Sequence, residues 1–246
     1  MPELTDQEKL DLLFVEKRNA ETAWTRNEQL DKDGYLVVKD LWDPIELYHP
    51  VPDIRGQLSY FDDNPSHFAH DAVERQVEGS LSRYYYPQYK KIHTGIRKKL
   101  EEIVGRKLYN TYYYDRFYFP GQELGKHLDR DACEISVSIH ISTNLPSPEK
   151  DWPFKIKTPD TYSDPKERTT VSVPGEVRSA VLNPGDGLIY KGCERPHWRD
   201  PLPTPRRRKR DKILRRPEPK YYYHQIFFHY VLADGQRVHC AGDKSR

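Results

Sequence analysis

Apolar side chains along this chain repeat with two different periods. Between Gln88 and Val104, Ile92, Ile96, Leu100 and Ile103 return every three or four positions among Lys, Arg and Glu, the spacing of an amphipathic helix laid against a sheet. Further on the period drops to two. Glu134 to Ser142 alternates strictly, with Ile135, Val137, Ile139 and Ile141 on one side, as a strand buried on one face does. Tyr112 to Phe119 is an aromatic run, Thr169 to Val173, Ser179 to Leu182 and Gly187 to Tyr190 are short β-prone runs, and Gln225 to Leu232 closes the series.

Ahead of the helix the pattern is sparser. Thr5 and Glu8 have the spacing of a capping box, and Leu10, Leu13 and Phe14 share one face behind them, which predicts a short opening helix. Gly34 to Val38 reads as a first strand that ends at the turn-prone Asp43-Pro44. Residues 45 to 87 carry no clear period and read as irregular, with one helix near Asp71 to Leu81. Helices first and many short strands after them predict a mainly β protein, an antiparallel barrel or double-sheet jelly roll with flanking N-terminal helices. The length of 246 residues fits one domain. A helical and irregular part covers 1–107, and a β core covers 108–235.

Composition adjusts this picture in three ways. The hydrophobic share is low, but 18 Tyr, 8 Phe and 4 Trp bury much surface in few positions, so the core should be aromatic. No stretch resembles a membrane span and the polar start MPELTDQEKL is unlike a secretory signal, so a soluble, cytoplasmic protein is expected. Cys133, Cys193 and Cys240 are odd in number and lack a C-x-x-C pair, which predicts reduced thiols rather than a disulfide framework or a zinc site.

The net charge of +2 argues against a chain built as a whole to bind polyanions. Basicity is local, in Arg206 to Arg210 within a proline-flanked insertion over 201–219. That run suits a solvated loop first and steering of an anionic or nucleic-acid substrate second.

His127-Leu128-Asp129 stands between the aromatic strand and the alternating one, and residues two apart in an extended segment point to one side. An imidazole and a carboxylate therefore converge. His197 follows the Gly187 to Tyr190 strand, at a place that a jelly roll can bring beside the first pair. Two histidines and one carboxylate on one face of an octahedral iron leave room for a bidentate oxo acid and dioxygen. An H-x-D pair is a weak signal by itself, because chance produces it often and a hydrogen-bonded pair explains it as well. His140, His224 and His229 also lie in strands and read as core or supporting histidines. The tyrosine clusters read as core, with some lining an oxo-acid pocket.

The run from Tyr118 through Pro120, Gly121, Leu124, His127 and Asp129 resembles the Y-x-x-G-x-x-L-x-x-H-x-D region of Fe(II)/2-oxoglutarate dioxygenases of the prolyl-hydroxylase-like kind. Asp129-Arg130, Cys133 to Ser136, Leu182 to Asp186, Tyr190 to Glu194 and His197-Trp198-Arg199 are similar to a bacterial and phage branch of that family. The resemblance covers about Leu108 to Gly235. It implies a double-stranded β-helix core of the cupin-like kind, with Fe(II) held by His127, Asp129 and His197. It also implies 2-oxoglutarate and O₂ as co-substrates, release of succinate and CO₂, and transfer of an oxygen atom to an unactivated C–H bond. The substrate would be a small molecule, an amino acid or a peptide side chain.

The sequence departs from the family at one point. Members usually carry an Arg or Lys at the start of the last strand for the far carboxylate of the oxo acid, whereas Tyr221 to His229 has none. Arg199 is the first candidate to replace it, because it shares a side with His197 and offers a planar fork. Lys220, with the tyrosines beside it, is the reserve, and Tyr118 is a further candidate for the oxo-acid pocket. The bland alternative is a surface Arg199 paired with Asp200. Arg130 is expected to pair with Glu134 or face substrate. The missing Arg on the last strand also motivates a second reading, a barrel that binds but does not catalyse. A halogenase on the same scaffold is disfavoured by Asp129, because those enzymes resemble the family but carry a small residue there to admit halide.

Overall fold

The structure is a computed structural model that describes residues 24–49, 76–162, 172–207 and 220–243, with 209, 213 and 214. Twelve strands occur among them, all paired antiparallel. β1 (Tyr35–Val38), β2 (Leu81–Tyr84), β3 (Leu108–Tyr118), β5 (Ile135–Thr143), β10 (Gly187–Tyr190) and β12 (Tyr223–Leu232) form a six-stranded sheet in the order β1-β10-β5-β12-β3-β2. β4 (Leu124–His127), β6 (Phe154–Lys157), β9 (Val177–Ala180) and β11 (His197–Arg199) form a second sheet in the order β4-β11-β6-β9. β7 (Thr161–Tyr162) and β8 (Ser172–Val173) pair separately. Sequence neighbours lie far apart in both sheets, which is jelly-roll connectivity.

The long helix forms where the period of its apolar residues required it. α3 (Tyr89–Val104) buries Tyr89, Ile92, His93, Ile96, Leu100 and Val104, and ends at Gly105, whose positive φ of 70° suits a left-handed cap. Val104 takes the fully buried place, and Ile103 is half-buried beside it. This face packs on Ile135, Val137, Ile139, Ile226, Phe228 and Tyr230 of the six-stranded sheet. Each such side chain contributes about 1.5–3 kcal/mol by leaving water.

The other face of that sheet meets the four-stranded one. Leu188 and Tyr190 on β10 pack with Phe154, Ile156 and Ala180 across the gap. Two short helices, α1 (Glu28–Asp33) against β1 and α2 (Pro44–Leu47) against β5, are each capped by a side chain, Asn27 on Leu30 N–H and Asp43 on Ile45 N–H.

Several expectations change. No helix runs toward Leu81: 76–80 are bends and turns, and Leu81 opens β2, while 71–75 lie outside the described residues. The predicted opening helix and most of Thr169 to Val173 lie outside them too. β3 begins at Leu108, and the strand expected over Ser179 to Leu182 is shifted to Val177–Ala180. Among the described residues, no helix is long and apolar enough to cross a membrane. The three cysteines are free.

Candidate metal centre

β4 ends on His127, a short irregular turn carries Asp129, and β11 opens on His197, which pairs in register with His127. The three side chains that the sequence singled out meet at this junction. Asp129 Oδ1 lies 3.5 Å from His127 Nε2 and 3.4 Å from His197 Nε2, and the two rings are 4.3 Å apart.

Both imidazoles are oriented by the backbone. Nδ1 of His127 contacts the Gly125 carbonyl at 2.7 Å, and Nδ1 of His197 contacts the Arg195 carbonyl at 2.9 Å. A carbonyl only accepts, so each Nδ1 carries a proton and each Nε2 is turned toward Asp129. Two imidazole nitrogens and a carboxylate oxygen packed this closely hold a cation among them, a shared proton in the ligand-free protein or a metal ion in its place. The chemistry of this donor set therefore fits a divalent metal.

The same crowding shapes the titration. Burial pushes the Asp129 carboxyl up, but the two imidazoles overcome it and hold it well below the usual carboxylate range. Burial pulls His127 down, and Asp129 more than reverses this.

The surroundings fix the three groups further. Gly192 carries a carbonyl that accepts from the Asp129 N–H at 2.9 Å, and a Cβ on this glycine would collide with the Asp129 carboxylate. Only a glycine lets the backbone approach so closely. Phe154 and Tyr190 wall His197 at 5.5 and 4.7 Å between ring centres. The loop leading to His197 is tied to the N-terminal part of the protein. Buried Lys191 pairs with Asp31 at 2.7 Å, and the Trp24 indole donates to Glu194 at 2.7 Å. The site opens on the His127 side, whose side chain is 25% exposed against 1% for His197. Gln76 covers this opening, with its amide 2.9 Å from His127 Nε2 and its carbonyl accepting from Arg116.

Arg199 is buried, not a surface residue, and Asp200 pairs with Lys155 instead. Its guanidinium lies between Trp152, Tyr223 and Phe154, 4.4, 5.0 and 5.3 Å from the ring centres. Nη1 donates to the Trp152 carbonyl at 2.6 Å, while Nε and Nη2, the edge that suits a carboxylate, meet no acceptor among the described residues. Nearby on the inner face, the Tyr223 hydroxyl, Ser138 Oγ, His140 Nε2 and both amide atoms of Gln225 are buried without a hydrogen-bond partner among the described residues. Tyr118 is fully buried and its hydroxyl accepts from Arg116 at 3.1 Å.

Lys220 and Arg130 have other partners in the structure. Lys220, the reserve candidate, is exposed and engages through its backbone carbonyl, which accepts from Asn144. Arg130 pairs with Asp243 and lies over the Tyr112 ring, whereas Glu134 takes Arg237.

The sequence reading missed Arg116, Gln225, Ser136 and Gln76. The adjacent charges Asp115 and Arg116 within an aromatic strand were the available signal. Alternation sends them to opposite faces, Asp115 outward to Arg83, His224 and Tyr89 and Arg116 inward to Tyr118.

No family model and no curated protein sequence matches the chain. Solved structures are similar to it in fold. A prolyl-4-hydroxylase from Pseudomonas putida superposes with a TM-score of 0.50 at 13% identity, over 82% of this chain and 95% of that one. An oxidoreductase of the 2OG-Fe(II) oxygenase family from Burkholderia pseudomallei gives 0.49 at 12% identity over 93% and 94%. HygX from Streptomyces hygroscopicus, with nickel and 2-oxoglutarate bound, gives 0.49 at 14% identity over 81% and 84%. The chain thus shares the jelly-roll fold of the Pseudomonas putida prolyl-4-hydroxylase.

Proposed function

We propose that this protein is a non-haem oxygenase that uses Fe(II), 2-oxoglutarate and O₂ to hydroxylate an unactivated C–H bond. The observation that carries the reading is the pairing of two features in one barrel interior. Two imidazole nitrogens and a carboxylate oxygen converge, and a buried arginine two residues beyond His197 holds out an unpaired edge.

His127 Nε2, Asp129 Oδ1 and His197 Nε2 would hold the iron, and the chemistry such a centre would supply is oxidation of a C–H bond by dioxygen coupled to decarboxylation of the oxo acid. Arg199 binds the far carboxylate. Residues two apart on a strand lie about 7 Å apart on the same side, a separation that suits the length of 2-oxoglutarate. In this chain the carboxylate partner comes from β11 and reaches the ring of Tyr223 at the start of the last strand, where the family places its own basic residue. Phe154, Tyr190 and Trp152 exclude water around the bound acid, which strengthens each polar contact made to it. Substrate enters from the Gln76 side, where His127 is the more exposed ligand. A small molecule, an amino acid or a peptide side chain suits that opening.

Incubation with Fe(II), 2-oxoglutarate and O₂ tests the proposal. Succinate forms, even without substrate, and its formation stops in His197→Ala. Candidate substrates gain one oxygen atom in mass. Absence of succinate together with absence of 2-oxoglutarate binding in the presence of Mn(II) would leave only a binding module.

A further inference from the structure

Asp129 has two oxygens, and only Oδ1 faces the histidines. Oδ2 accepts from Ser136 Oγ at 2.8 Å, and the same oxygen of Ser136 lies 2.9 Å from His229 Nδ1. Ser136 and His229 face each other in register on β5 and β12 and are buried, at 0% and 2% exposure. A hydroxyl has one proton to donate. An ionised carboxylate has none, so at 2.8 Å, against 3.4 Å for the Cys133 carbonyl, Asp129 Oδ2 takes the Ser136 proton, and His229 then supplies its Nδ1 proton to Ser136. The imidazole is locked in that orientation by Tyr112 and Tyr114, whose ring centres lie 4.5 and 5.9 Å away. Gly192 closes the remaining side of the carboxylate.

We infer that Ser136 and His229 are positioning residues for the metal centre: the chain His229 Nδ1–H to Ser136 Oγ–H to Asp129 Oδ2 holds the carboxylate so that Oδ1 alone is presented between His127 and His197. This rests on the metal-centre reading above. It deepens that reading by assigning the binding oxygen of Asp129 and the residues that select it. The role is distinct from the oxo-acid pocket, which lies toward Arg199 and Tyr223. Its consequence is tighter metal binding, because a ligand already held in its bound orientation loses less freedom on coordination.

Titration of the full chain with Co(II), followed by visible absorption, tests this without turnover. Ser136→Ala raises the Co(II) Kd by about 10–100-fold, the usual effect of removing such a partner, and alters the absorption bands. Ser136→Thr, which keeps the hydroxyl, restores most of the affinity. His229→Leu weakens binding similarly, His229→Asn, which keeps an N–H, weakens it less, and the Ser136→Ala, His229→Leu double variant is no worse than about either single one, as residues acting in series require. Near-ultraviolet circular dichroism identifies the variants that fold. If Ser136→Ala does not fold, the comparison of His229→Asn with His229→Leu decides. Native protein that binds Co(II), with folded variants that bind it equally well and give the same spectrum, overturns the relay alone. Native protein that binds no Co(II) overturns the metal centre and the relay together.

Discussion

The two faces of the six-stranded sheet are equally buried and chemically opposite. The outer face, under α3, presents Ile135, Val137, Ile139, Ile226, Phe228 and Tyr230, and its main buried charge is matched, with Asp115 accepting from Arg83 and meeting His224 at 2.7 Å. The inner face presents Ser136, Ser138, His140, Gln225 and His229 from the same two strands, all at 2% exposure or less. Several of these, with Arg199 opposite, have polar atoms that meet no partner among the described residues. An unsatisfied buried polar group costs about 1–3 kcal/mol, so a face made of them is unfavourable as a core and sensible only as a receptacle. The outer face holds the sheet together. On the proposed function, the inner face is completed by the acid it binds.

Four substitutions or conditions separate the two roles. Asp129→Ala should reduce Fe(II)-dependent succinate formation to background, measured by chromatography of the products, because among the described residues no other carboxylate joins the two imidazoles. Phe228→Ala, on the outer face, should cost about 3–5 kcal/mol of stability in urea denaturation and leave the affinity for 2-oxoglutarate unchanged in the fraction that remains folded. Arg199→Leu should do the reverse. It removes an unpaired buried charge, so the ligand-free protein is as stable or more so, while the Kd for 2-oxoglutarate in the presence of Mn(II), read by calorimetry, rises by about 100-fold through loss of a bidentate ion pair.

The remaining condition is pH, acting on the ligand-free protein. Burial pushes His93 down to about 3 and His140 and His224 down to about 4. Their folded values lie below the ordinary 6.5, so between those limits the unfolded chain binds more protons than the folded one. Stability is full above about pH 6.5 and falls as pH drops, by about 1.4 kcal/mol per pH unit for each histidine. Urea midpoints measured from pH 7 to pH 5 check the slope, and His93→Phe should reduce it.

The same contrast explains how much the sequence disclosed. The outer face was legible because its residues obey the usual rules: the helix period placed Ile92, Ile96 and Leu100 correctly, and alternation placed Ile135 to Ile141 in the core. The inner face was misread by those rules. In Glu134 to Ser142 the polar positions looked like a solvated side, yet they line the barrel interior, because polarity reports what a side chain contacts and that contact is a ligand as readily as water. His127, Asp129 and His197 were found through their chemical types and a resemblance rather than through periodicity.

Ser136 and Gln225 had no such marker, since serine and glutamine alone announce nothing. β4 and β6, four residues each, were too short for a period to emerge. α1 buries a single side chain, Leu30, and its sequence EQLDKD looks like a loop. Gln76 reaches the site from 51 residues before His127, and nothing local to either position links them.

The most direct test of a receptacle is whether filling it stabilises the protein. A ligand that binds the folded state adds RT ln(1 + [L]/Kd), about 2.7 kcal/mol at a hundred times Kd. The thermal midpoint should rise with Mn(II), rise further when 2-oxoglutarate is added, and lose the second increment in Arg199→Leu. A midpoint indifferent to both ligands in the native protein would contradict the account, because the unpaired atoms of the inner face would then belong to an ordinary, poorly satisfied core.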